Sequence, residues 1–258
     1  MAFACSPHTG RLYVQSDGTA APSPESLINS IRQKNQSIKR CKGIGAVKLV
    51  HEGQTRIDER MAWAILFPDK MRIEIRSISG VSLASFAYNG ERLYISIPSE
   101  GRFIEQKTRN AKLSKLIAIP LRAQDLMQII AGRLPIRKYN KLQIQEGEGG
   151  QPYTLILRNR WNTVIQEIYL DETFQHVNGF AIFNQNGSKE YHAFFETMQS
   201  VGEYYVPSQV KIANRKGDTL QIDVDRHWLN IPIAPTLFRL TPPIQHQEAS
   251  IQRQDTDG

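Results

Sequence analysis

The residues of this chain best suited to bind metals or act as nucleophiles are six histidines, at positions 8, 51, 176, 192, 227 and 246, and two cysteines, Cys5 and Cys41. The histidines fall in separate turns, strands and tails, no His-Glu-x-x-His helix occurs, and no Cys pair is available for zinc. One disulfide between a tail and a strand is allowed but not required. The densest acidic group is Asp223, Asp225 and His227, whose two-residue spacing in an extended strand puts all three on one face, where a cation would fit. Ile222, Val224 and Trp228 then occupy the opposite face, and an ordinary solvent-facing edge accounts for the polar set without a metal. No Gly-x-Ser-x-Gly elbow, Walker loop or Rossmann fingerprint occurs. The glycines from Gly147 to Gly150 are accompanied by Glu146 and Glu148, the wrong sign for phosphate. The sequence therefore points away from enzymatic catalysis and implies neither cofactor nor metal.

At 258 residues the chain is long enough to bury a full core without staples, as one or two domains or one large all-β unit. With 40% apolar and 22% charged residues it is neither disordered nor a polytopic membrane protein, and no apolar run approaches the length of a spanning helix. The net charge of +7 is spread over many strand positions. It tolerates lipid headgroups without forming the concentrated run that would suggest nucleic acid as a partner. Residues 1 to 5 are too short for a signal peptide. Two readings of Cys5 stay open: an incidental thiol, or a lipid attachment site left by cleavage at Ala4-Cys5 of a longer precursor. The small-residue and Pro-rich stretch from Ser6 to Pro24 reads as a tether, so residues 1–23 are expected to be flexible.

A helix should open at Ser23 as cap, with Pro24 in its first turn and Leu27, Ile28, Ile31 and Ile38 along one stripe. After Arg40 the period changes to two, and alternating runs punctuated by Glu52-Gly53, Pro68-Asp69, Asn89-Gly90 and Glu100-Gly101 read as hairpins. Residues 110–134 return to helical spacing, with Leu113, Leu116, Ile117, Leu126, Ile129 and Ile130 apolar and Gly132 as a C-terminal cap. Strands resume from Lys138 to Trp228, and the segment 245–258 reads as a disordered tail. The fold class is mainly β (α+β): a single half-open antiparallel barrel of about eleven or twelve strands, with an N-terminal helix and a mid-chain helical lid. Alternation turns Val47, Leu49, Trp63, Ile65, Ile73, Ile75, Leu93 and Ile95 to the concave side, opposite Lys48, Arg72, Glu74 and Arg92. Leu126, Ile129 and Ile130 would cover them. Whether the two apolar layers meet as a filled core or enclose a cavity is not decided by pattern.

One resemblance bears on that choice. Phe67-Pro68-Asp69-Lys70-Met71-Arg72-Ile73-Glu74, then Asn89-Gly90-Glu91-Arg92-Leu93-Tyr94-Ile95, Pro98 and Phe103-Ile104-Glu105-Gln106 follow in an order that resembles the LolA/LolB-like superfamily. That superfamily comprises the periplasmic lipoprotein carrier and the outer-membrane lipoprotein receptor. Leu237-Phe238-Arg239-Leu240-Thr241-Pro242-Pro243 is similar to the carrier's closing strand and double proline, and the likeness spans roughly residues 26–245. It implies a lipid-binding domain over residues 24–244, an apolar cavity for acyl chains of lipoproteins or other lipids, no covalent chemistry, and a place in the bacterial envelope. There the protein would act as periplasmic carrier or as receptor anchored through Cys5 on the periplasmic face of the outer membrane, with a carrier protein as partner. Ser77-Ile78-Ser79-Gly80 loosely resembles the receptor's protruding apolar loop, a likeness that makes Ile78 a membrane-contact candidate. The carrier's lid-holding arginine, just before the strand-ending proline, is Phe67 here. By strand parity Arg226 is the inward-facing candidate for that role. The alternative from another class is an envelope protein-interaction module of the same fold with a filled core.

Overall fold

The structure, a computed structural model, describes residues 22–146 and 152–242. Helix α1 (Pro24–Gln33) begins as its sequence dictates: the Ser23 hydroxyl accepts the Ser26 N–H at 3.2 Å, and Glu25 lies in the positive first turn. Leu27 and Ile28 are buried on its inner side. Six strands follow as a meander: β1 (Arg40–His51), β2 (Gln54–Leu66), β3 (Lys70–Arg76), β4 (Ser82–Tyr88), β5 (Arg92–Ile97) and β6 (Arg102–Lys107). The middle segment carries α2 (Ser114–Ile117) and α3 (Ala123–Ile130), separated around Pro120. A second meander comprises β7 (Lys141–Glu146), β8 (Tyr153–Arg158), β9 (Val164–Leu170), β10 (Val177–Phe183), β11 (Lys189–Val201), β12 (Tyr204–Asn214) and β13 (Thr219–Leu229).

All neighbouring strands pair antiparallel in one thirteen-stranded sheet, ordered β6-β5-β4-β3-β2-β1-β13-β12-β11-β10-β9-β8-β7. The count is thirteen rather than eleven or twelve because even the six-residue strands β6 and β7, which form the two free edges, pair along their length. The sheet is therefore open, and the segment bearing α2 and α3 connects one edge to the other across its inner face. One continuous core fills the space between sheet and helices, from Val47 and Ile73 in the first meander to Phe180 and Ile212 in the second.

The glycines of β1 set the shape of the centre. A Cβ on Gly43 would lie 2.0 Å from the Trp63 ring, so the indole occupies the volume that a side chain would take. A Cβ on Gly45 would meet the Asp223 carbonyl at 2.0 Å, a close approach that coincides with a bulge. Ile44 pairs with Arg226 but Gly45 pairs with Val224, leaving Asp225 as the extra residue. A one-residue slip exchanges the faces of everything beyond it. His227 consequently points inward and is buried, while Arg226 is exposed. This corrects the parity assignment of Arg226, whose guanidinium sits over Trp228 on the outer side, 5.7 Å from the ring centre. It also breaks up the acidic set: Asp223 accepts from Gln209 and Gln221, Asp225 pairs with Arg60, and His227 lies on the other face.

The segment after β13 is not a closing strand. Pro232 and Pro235 lack the N–H that a ladder needs, and 230–242 instead runs as an irregular strap with one short turn of 3-10 helix at Pro235–Phe238. Ile233 and Phe238 pack on Ala64, and Leu240 on Ala87 and Tyr94, covering the outer face of the first meander.

Candidate functional site

Between α2, α3 and the inner face of β1–β5 and β13 lies an apolar cavity of about 130 Å³. Its floor is Val47, Ile57, Met61, Ile73, Ile75, Phe86, Leu220 and Ile222, and its roof Leu113, Leu116, Ile117 and Leu126. It continues into a mouth of about 390 Å³ that shares Ile57, Ile75, Ala84, Ile97, Leu116 and Ile117 with it. The mouth's rim is charged: Arg56, Asp58, Glu59, Glu100 and Arg102, with His51 beside them. An apolar throat behind a polar rim matches an amphiphile, tail inward and head at the water boundary.

Of the residues assigned to a cavity from the sequence, Val47, Ile73, Ile75 and Leu126 line the inner part, and Leu49 lines the mouth. Trp63, Ile65, Leu93, Ile95, Ile129 and Ile130 are buried in the core and reach neither. Ile57, Met61, Leu116 and Ile117 also line the inner part, and the helical spacing of Leu116 and Ile117 was the available signal for two of these four. Ile78 stands at the tip of the β3–β4 turn with 94% of its surface exposed. Cys5, the residues before Pro22 and the 245–258 tail lie outside the described residues.

The lid is fastened by groups other than Arg226. Asp125, in the first turn of α3, accepts two hydrogen bonds from the Arg137 guanidinium, at 2.8 and 2.6 Å, and a third from the Tyr191 hydroxyl at 2.9 Å. Burial works to depress the Arg137 guanidinium, but the hydrogen bonds and charge of Asp125 outweigh it and leave it above its ordinary value. At the far end of α3, Arg133 donates from Nε to the Asn35 carbonyl at 3.0 Å, reaches the Gln36 and Ile38 carbonyls, and lies over the Phe67 ring at 3.9 Å. Asn35 in turn donates to the Ala131 and Gly132 carbonyls at 2.9 and 3.2 Å. The roof is held at a third point, where the Asn214 amide donates to the Ala118 carbonyl at 3.2 Å and to Asp218 at 2.7 Å. Asp218 also accepts from His51; the Asn214 amide first, and His51 next, keep its carboxyl below the usual range despite burial.

Beneath Arg133 sits a buried group of Cys41, Trp63 and His227. Burial pushes the Cys41 thiol up to about 12, opposed by the neighbouring indole and guanidinium, so it is a packed sulfur rather than a nucleophile. His227 lies 3.7 Å from that sulfur, bonds through Nε2 to the Pro207 carbonyl at 3.0 Å, and is kept below its ordinary value by burial. Among the described residues no cluster of ligating side chains could hold a metal ion.

Acid should weaken the fold through this histidine. Between the depressed folded value and the ordinary 6.5, the unfolded chain binds a proton that the folded one refuses, so stability is lost as pH falls below about 6.5. His192 shifts in the same direction, so His227→Gln should remove part of the slope of thermal midpoint between pH 7.5 and 5. An unchanged slope would exclude His227 as its source.

No family model matches this chain, and no curated protein matches it significantly. Solved structures do. A DUF1329 family protein from Desulfovibrio piger superposes with a TM-score of 0.60 at 10% identity, over 84% of this chain and 95% of that one. An outer membrane lipoprotein-sorting protein domain from Vibrio parahaemolyticus gives 0.60 at 12% identity, over 84% and 97%. A LolA superfamily protein from Nitrosomonas europaea gives 0.56 at 11% identity, over 85% and 99%. The chain has a LolA/LolB-like fold, an open antiparallel half-barrel roofed by helices.

Proposed function

We propose that this protein is a non-catalytic carrier or receptor for acyl chains, of lipoproteins or of other lipids, in the bacterial cell envelope. The observation that carries this reading is the apolar cavity under α2, continuous with a wider, charged mouth. Each methylene moved from water into such a wall contributes about 0.8 kcal/mol, and no polar group is left unpaired there. Entry and release require only that α2, four residues long, shifts from the floor; transfer then follows relative affinity, with no energy source in the chain. In this reading 24–244 is the lipid-binding domain, 1–23 a tether anchored to the outer membrane through a lipid on Cys5, and Ile78 a point of membrane contact. The neighbours named for lipoprotein sorting and for the LolA superfamily support it.

The inner cavity alone is below the roughly 300 to 1,000 Å³ of typical ligand pockets, which favours the alternative of an envelope interaction module with a filled core. One variant separates the two. Leu116 lines both cavity and mouth, so Leu116→Glu can keep its carboxylate wet when the site is empty but must desolvate it against an incoming chain. Binding of a dansyl-labelled undecanoic acid should weaken about tenfold or more. The thermal midpoint should stay within about 4 °C of wild type. No probe binding by wild type, or equal binding by the variant, would favour the interaction module.

A further inference from the structure

The large apolar side chains most open to solvent among the described residues are Ile44, Ile78, Val81, Trp161 and Tyr205. Ile44 is mid-strand on the outer face and Tyr205 lies near the β11–β12 turn. The other three share one end of the sheet. Because every neighbouring pair is antiparallel, the turns β1–β2, β3–β4, β5–β6, β8–β9, β10–β11 and β12–β13 all fall at the same end. His51, Glu100 and Arg102 place the cavity mouth there too.

Trp161 is 67% exposed, on a turn that is built to present it. Asn159 Oδ1 accepts the N–H groups of Trp161 and Thr163 at 2.9 and 3.0 Å, and Asn162 takes a left-handed φ of 65°. The Arg160 guanidinium lies 4.0 Å from the indole centre. Arg158 donates to the Asn162 carbonyl at 3.0 Å, and Lys141 to its side chain at 3.3 Å. Arg160 thus flanks one outward tryptophan, Arg158 and Lys141 hold the residue next to it, and none of the three forms an ion pair with a described carboxylate. An indole prefers the headgroup level of a bilayer, and Lys and Arg near it prefer anionic phosphates. At the β3–β4 turn, Ile78 and Val81, 94% and 60% exposed, offer purely apolar surface.

We propose that this end of the sheet docks on an anionic phospholipid bilayer at two points, with Trp161 and its three cations as a second anchor apart from the β3–β4 turn. A single contact lets a protein pivot; two separate ones fix its tilt and hold the mouth against the lipid, so an amphiphile can pass without crossing water. The proposal rests on the acyl-chain reading for that route, whereas docking itself needs no ligand in the cavity.

Sedimentation of the full chain with phosphatidylcholine vesicles, with and without phosphatidylglycerol, tests it. Wild type should bind the anionic vesicles more tightly. Trp161→Ala should weaken that binding about tenfold, and Arg160→Gln about fivefold. Both should retain the wild-type thermal midpoint and, without vesicles, the wild-type affinity for the dansyl-labelled acid. Brominated lipid should quench part of the wild-type indole emission, and none of that part should remain in Trp161→Ala. Wild type that ignores every vesicle, leaving the surface to a protein partner, or Trp161→Ala that binds like wild type, overturns the proposal. Vesicle docking without any probe binding would instead overturn the cavity reading and leave the anchor standing.

Discussion

Replacing Asp125 with alanine should destabilise the protein by about 3 to 5 kcal/mol, the range for removing one partner of a buried ion pair. The Asp125 side chain is 3% exposed and that of Arg137 only 20%, so the guanidinium left behind can recover little hydration. Tyr191, fully buried, would lose its hydroxyl's acceptor as well. The pair itself is not therefore strongly stabilising. Asp125→Leu combined with Arg137→Met, which removes both charges but still leaves the Tyr191 hydroxyl without its acceptor, should recover part of the loss. Urea unfolding of the single and double variants provides the comparison. A single variant within about 1 kcal/mol of wild type would mean that the lid is held by Arg133 and Asn35 instead.

Ile129→Glu should be more damaging still and should abolish cooperative folding at growth temperature. Ile129 is 0% exposed and does not line the cavity, so a carboxylate there has neither water nor a cation to meet. An unpaired buried charge combined with overpacking belongs to the small class of substitutions that exceed about 4 kcal/mol. Circular dichroism melting should show no transition, in contrast to Leu116→Glu, earlier on the same lid. A folded Ile129→Glu protein would mean that the roof over α3 opens readily and that the cavity extends further than the closed form reveals.

The elements were legible in the sequence to the extent that they follow from local rules. Ser23-Pro24 fixes the start of α1, Asn89-Gly90 fixes a hairpin, and period-two alternation separates Val47 and Leu49 from Lys48. What eluded pattern reading was non-local. The bulge at Asp225 that turns Arg226 outward arises from the approach of Gly45 to a strand from the other end of the chain; the two strand glycines were the only local trace of it. The fastening of the lid escaped for a related reason. Asp125 interrupts an apolar stripe, which flags a buried carboxylate, but nothing local names Arg137 and Tyr191 as its partners. Likewise, which buried residues border empty space depends on how Leu116 and Ile117 settle over the sheet, so Ile65 and Ile73 look alike in sequence and differ in the fold.

The order of the strands has a consequence for synthesis. Within each meander every strand pairs with its neighbour in sequence, so both can form by short-range zippering as the chain emerges. The exception is the seam between β1 and β13, the first strand made and the last. Val47 comes from one side of that seam, and Leu220 and Ile222 from the other, and all three belong to the cavity floor. A nascent chain halted before β13 would consequently be two half-sheets sharing a lid over an unfinished floor, and the cavity wall would close in a single late step, when the thirteenth strand reaches the first.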